Sequence, residues 1–170
     1  MVHGKRELKW TVVIEKTIAQ SRSILSVVML IDKANSAGNI HGGDIMKLMD
    51  STAGVAARRH ARTIVVTTRV NELEFMIPVH VGNLVICTAE LAFVGRTSME
   101  ILVVVEVEDL DVEGSKRRAL NGYFTMVAID EKGRPVEVPR LKLETPEEIQ
   151  RYEERQREYQ ELKKRLSQRK

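Results

Sequence analysis

Residues 35–50 read Asn-Ser-Ala-Gly-Asn-Ile-His-Gly-Gly-Asp-Ile-Met-Lys-Leu-Met-Asp, and the fold turns on this stretch. A polar, glycine-bearing loop gives way after Gly42-Gly43 to an amphipathic segment. There Ile45, Leu48, Met49, Thr52, Ala53 and Ala56 recur at helical spacing and share one face. The pattern predicts a helix from Asp44 to about Ala61. Asp50 borders its apolar stripe, where a solvated charge gains nothing. A carboxylate there, with Asn35 and two glycines upstream, has the composition of a reaction site. A rim carboxylate after a plain turn accounts for it equally well.

Outward from this helix the chain is β-rich. Residues 23–29 alternate and read as a first strand. Residues 63–75 are rich in branched side chains and read as one long strand. Pro78 and Gly82-Asn83 punctuate the next connection. Residues 84–94 and 98–108 form a hairpin about Gly95-Arg96-Thr97, and 119–129 is a last long strand. Consecutive antiparallel strands after one long helix indicate an α+β domain, a sheet wrapped around a central helix. Ala53, Gly54, Ala56 and Ala57 let the sheet approach closely. A charged C-terminal helix starts at Pro146 behind Thr145 as its cap. Glutamates crowd its start and basic residues its end, which suits the helix dipole.

Composition excludes several functions. The net charge of +3 comes from the last twenty residues, which hold eight Lys/Arg against four Glu. With aromatics at 4% there is no stacking platform for bases, so nucleic acid is not expected as a partner. The tail reads first as a solvated helix and second as a contact patch, one that packs across an oligomer. No window approaches the roughly 18 apolar residues of a membrane span, and the charged start lacks a signal peptide's apolar core. A single cysteine, Cys87, sits in a strand pattern as a small core residue and fits a reducing cytoplasm. No cluster has metal-ligand spacing. Ser-His-Asp, P-loop and G-x-G-x-x-G arrangements are absent.

Five ordered motifs carry a family resemblance. N-x-x-G-N-I-H-G-G-x-x-M-x-L-M-D-x-x-A-G, A-x-R-H, V-V-T, F-x-x-P-V-x-x-G and V-G-R-T-S-M-E closely resemble the acyl-CoA thioesterases of the hotdog fold. The nearest subgroup is the cytosolic, brain-type acyl-CoA hydrolases and their short bacterial relatives. The resemblance implies a hotdog domain over residues 16–130, with 131–170 as an extension carrying the charged helix. It implies a homodimer joined sheet edge to sheet edge, with sites at the interface built from both chains, and further assembly into a trimer of dimers. Asn35 and Asp50 fall on the family's catalytic asparagine and aspartate. No cofactor is implied, since CoA belongs to the substrate.

The residue types suit that chemistry. Asp50 can deprotonate a water or attack the thioester directly, and the water route is preferred. Asn35 can orient the water or the carbonyl. Unpaired N–H groups at Gly42-Gly43, at the positive end of the helix, would receive an oxyanion. His41 either touches substrate or structures its loop. Thr67 and Thr68 lie on a strand that would line the acyl tunnel. The resemblance puts Arg96, Thr97 and Ser98 forward as CoA-phosphate contacts, slightly ahead of their reading as a bare hairpin tip. Arg58, Arg59, Arg62, Lys116 and Arg117 are weaker ones. His60 reads as a structural cation at a helix C-terminus, and His3 and His80 are isolated. The competing functions are a hotdog dehydratase, disfavoured by the lack of a paired catalytic His and Glu, and an acyl-CoA-binding sensor without turnover.

Overall fold

Small side chains on one stripe of the central helix decide how the sheet seats on it. The structure, a computed structural model, describes residues 14–71 and 73–168. The elements run β1 (Glu15–Thr17), α1 (Ile18–Ser21), β2 (Ser23–Val28), a single 3-10 turn (Ile31–Lys33) and α2 (Gly42–Ala61). Then come β3 (Ile64–Val70), β4 (Leu84–Val94), β5 (Ser98–Glu108), β6 (Arg117–Ile129), β7 (Arg140–Lys142) and α3 (Pro146–Ser167). β2-β4-β5-β6-β3 form one antiparallel sheet curled around α2, while β1 and β7 pair in parallel as a separate ribbon.

On α2, Ile45, Met49, Thr52, Ala53, Ala56, Ala57 and His60 are buried. They meet an inner sheet row that includes Val85, Cys87, Ala89 and Leu91 of β4, Ile101 and Val103 of β5, and Phe124 and Met126 of β6. Alternation along each strand sends these residues to one face. A β-bulge between Leu91 and Phe93 then reverses the phase of β4. Phe93 consequently stands opposite Glu100 on the outer face.

α3 covers the outer face around Phe93 and Glu100. The rings of Tyr152 and Tyr159 lie 5.1 and 5.2 Å from that of Phe93. Arg155, only 6% exposed, donates from Nε to Glu100 Oε2 at 2.8 Å and sits 4.0 Å above the Tyr123 ring. Arg151 bonds Glu90 at 3.2 Å. Most of the described residues of α3 are exposed, as expected of a solvated helix, while one face is anchored to its own sheet by aromatic and ionic contacts. Its start is as expected, with Thr145 Oγ1 accepting from the Glu148 N–H at 3.2 Å.

The long strand expected over residues 63–75 ends instead at Val70. Past Asn71, whose N–H donates to Tyr123 O at 3.0 Å, the chain leaves the ladder and turns inward. Leu73 then lies so close over Gly122 of β6 that a Cβ there would come within 2.0 Å of Leu73 Cδ2. Side-chain packing has overridden strand propensity. Residue 72, within that expected strand, lies outside the described residues.

Candidate active site

Asp50 is half-buried two turns into α2, beside β3. The Thr67 hydroxyl of β3 donates to its Oδ1 at 2.6 Å, the length of a charge-assisted bond. One carboxylate oxygen is thereby fixed, and Oδ2 keeps its lone pairs for a reacting proton. Thr67 thus positions the carboxylate, a role distinct from the tunnel lining expected for it. Thr68, next to a register shift at residues 67–69, turns the other way and donates to Thr125 O at 3.1 Å.

Asn35 sits in the loop ahead of α2. Its Oδ1 accepts from the N–H groups of Ala37 at 2.9 Å and Asn39 at 3.2 Å, closing the loop on itself. The loop is pinned in turn by Ile40, whose N–H donates to Val79 O at 2.7 Å. With Oδ1 committed, the Nδ2 amino group is what Asn35 can offer to a ligand.

At the start of α2, His41 is the N-cap. Its Nδ1 accepts from the Gly43 N–H at 3.3 Å. The expectation of an unpaired Gly43 donor is corrected to that extent: an oxyanion would have to displace a long, weak bond. Between the two readings of His41, the structure gives a capping role. Gly42 lies under Phe75, whose ring carbon would be 3.2 Å from an added Cβ.

The hairpin residues are not brought to Asp50 within the chain. Ser98 Oγ donates to Tyr159 Oη at 3.3 Å, on the face covered by α3. The Thr97 carbonyl accepts from Ala128 N–H, and Arg96 pairs with Glu137 at 3.6 Å. His60 is fully buried. Nε2 lies 2.9 Å from Pro139 O, so it carries the ring proton, and Nδ1 accepts from Ser21 Oγ at 3.0 Å. Burial holds its pKa below the ordinary value, with a smaller contribution from Lys16 in the same sense and an opposing one from the Pro139 carbonyl. His60 is therefore a neutral core residue, correcting its reading as a terminal cation. The helix end is capped instead by Lys16, whose Nζ donates to the carbonyls of Arg59 and His60. Burial pushes the Cys87 thiol up to about 12, which leaves it inert as a nucleophile. Lys116 pairs with Glu106 at 3.2 Å. His80 donates its N–H to Asn83, and His3 lies outside the described residues.

The chain as a whole has counterparts. The sequence matches the Thioesterase superfamily over residues 37–113. A hexameric acyl-CoA thioesterase of known structure superimposes with a TM-score of 0.85 at 31% identity, covering 91% of this chain and 98% of that one. The chain belongs to the thioesterase superfamily. The cytosolic acyl coenzyme A thioester hydrolase of Rattus norvegicus is 34% identical over 148 residues, which span 86% of this chain and 39% of that protein. The chain thus covers about two fifths of the length of the first curated relatives it matches. The acyl-CoA hydrolase of Staphylococcus aureus, solved with butyryl coenzyme A and coenzyme A, aligns at a TM-score of 0.81 and 26% identity over 91% of this chain and 94% of its own. Its structures include one variant with an asparagine, and one with an aspartate, replaced by alanine. The curled sheet around α2 is the hotdog fold of this superfamily. Among the described residues no helix is long and apolar enough to cross a membrane, and no three His, Cys, Asp or Glu side chains could hold a metal ion.

Proposed function

We propose that this protein hydrolyses acyl-CoA thioesters, with Asp50 as the base. The observation that carries the reading is the Thr67–Asp50 bond of 2.6 Å at the half-exposed seam of α2 and β3. Two further features support it. The asparagine and aspartate replaced in the staphylococcal hydrolase have the same separation along the chain as Asn35 and Asp50 here. β3 is also an edge strand, with Ile64, Val66 and Val70 exposed along it, which suits pairing with a second copy.

In the reaction, a water held near Asp50 loses a proton to Oδ2 as its oxygen bonds to the thioester carbonyl carbon. The negative charge that develops on the carbonyl oxygen is met by Asn35 Nδ2 and the N–H groups at the start of α2, both from a second copy. Collapse of the tetrahedral intermediate breaks the carbon–sulfur bond. The proton on Asp50 passes to the CoA sulfur, leaving a free carboxylic acid and CoA. The dimers assemble as a trimer of dimers, the pattern suggested by the hexameric relative, and the protein works in the cytoplasm like the rat relative whose name places it there.

Thiol release from acyl-CoA, followed with a thiol-reactive dye, tests the reading. Asp50→Asn keeps the size of the side chain and the bond from Thr67 but is no base, so the rate is expected to fall by at least 10²-fold. Equal rates for Asp50→Asn and the parent would remove Asp50 from the chemistry.

A further inference from the structure

Asp50, Gly54, Arg58 and Arg62 succeed one another at four-residue spacing and so form one row along α2 and its C-cap. Gly54, between the carboxylate and the arginines, leaves that row without a side chain. Where the row ends, Arg58, Arg59 and Arg62 line an open recess of about 570 Å³ together with Val55, Ile64 and Glu131. All three guanidinium groups are exposed, and among the described residues none makes an ion pair with a carboxylate.

Basic residues at a helix C-terminus commonly serve its free carbonyls. Here that work is already done. Lys16 takes the carbonyls of Arg59 and His60, and the Arg62 N–H takes that of Arg58 at 2.9 Å. Arg59 is steadied by a bond to the Arg22 carbonyl. The side chains of Arg58 and Arg62 are left as unneutralised forks, the donor geometry that matches phosphate oxygens.

A length argument connects this recess to the proposed reaction centre. At about 1.5 Å per residue, Arg58 and Arg62 lie roughly 12 and 18 Å along the helix from Asp50. The pantetheine arm, from thioester sulfur to the first phosphorus, spans about as far as a four-residue extended peptide, roughly 15 Å. We infer that the phosphates of the CoA nucleotide dock on Arg58 and Arg62, with the pantetheine arm running over Gly54 toward Asp50. This rests on the acyl-CoA reading above. It differs from the hairpin expectation, whose Arg96 and Ser98 are engaged with Glu137 and Tyr159.

The test compares kcat/KM for an acyl-CoA with that for the same acyl group on pantetheine, which lacks the nucleotide. In a variant carrying Arg58→Ala and Arg62→Ala, the preference for the CoA ester is expected to fall by roughly tenfold to a hundredfold. The fall should lie in KM, and Arg58→Lys with Arg62→Lys should restore part of it. Calorimetric titration with adenosine 3′,5′-bisphosphate gives a second readout that needs no turnover, with binding by the parent and loss of binding by the alanine variant. An unchanged preference, or equal losses on both esters, overturns the inference. If the parent hydrolyses neither ester, the acyl-CoA reading fails, and the calorimetric result alone then decides whether the arginines bind a nucleotide.

Discussion

The two faces of the sheet are covered by opposite means, the inner along its length and the outer around Phe93 and Glu100. The inner face meets α2 through apolar and small side chains, with Met49, Ala53, Leu91, Ile101 and Phe124 among them. The outer face meets α3 through a buried ion pair, a cation over a ring and a tilted aromatic trio. Apolar contacts on the inner face are many, small and nearly interchangeable. On the outer face one carboxylate, Glu100 at 3% exposure, depends on one guanidinium. The inner face should therefore lose stability in increments, while the outer face should fail abruptly when one partner is lost.

Arg155→Ala is the sharpest way to break the contrast. It strands Glu100 in the interior, and a loss of about 3–5 kcal/mol is expected in urea unfolding. Replacing both partners, Arg155→Met with Glu100→Leu, should recover most of that loss, since removing both charges removes the desolvation cost as well. Additive losses from the two replacements would mean that the pair is not a unit. On the inner face, Ile101→Ala should cost about 2–5 kcal/mol through a cavity, and its effect should add to that of a distant core truncation such as Ala-for-Val85. Gly122→Ala should cost about 1–3 kcal/mol, because the new methyl meets Leu73. Leu73→Ala in the same chain should reduce that cost, and calorimetric melting of the three variants checks the coupling.

The smallest expected effect is the pH response of His60. Burial depresses its folded-state pKa below the ordinary 6.5, so the unfolded chain takes up the proton first. Stability should then decline as pH falls through about 6.5 toward the folded value, and be insensitive to this group above it. His60→Gln can keep the bonds to Pro139 and Ser21 and should flatten that part of the profile. Identical slopes in parent and variant would acquit His60.

The same contrast explains what could be read from the chain before the structure. The helix over residues 44–61 and the strands 84–94 and 98–108 announce themselves because periodicity repeats over many residues and Gly82-Asn83 and Gly95 mark their limits. β1, α1 and β7 are three or four residues long, too short for any periodicity to develop. α3 looked solvated because half of its residues are charged, and nothing local says that Arg155 has a buried carboxylate 55 positions away. At the site, Asp50 stood out by its place beside an apolar stripe. Thr67 was legible as a residue of a tunnel-lining strand but not as the partner of Asp50, since that bond exists once β3 has folded back along α2. The capping of α2 by Lys16, 43 residues upstream of Arg59, was equally hidden.

The bulge at Ala92 absorbs one surplus residue of β4 over β5, so that Phe93 meets the C-terminal helix and Val94 the inner core. Removing that residue would return β4 to plain alternation, with Leu91 inward, Phe93 still against the C-terminal helix and Val94 still in the inner core, so the surplus is slack carried inside a strand.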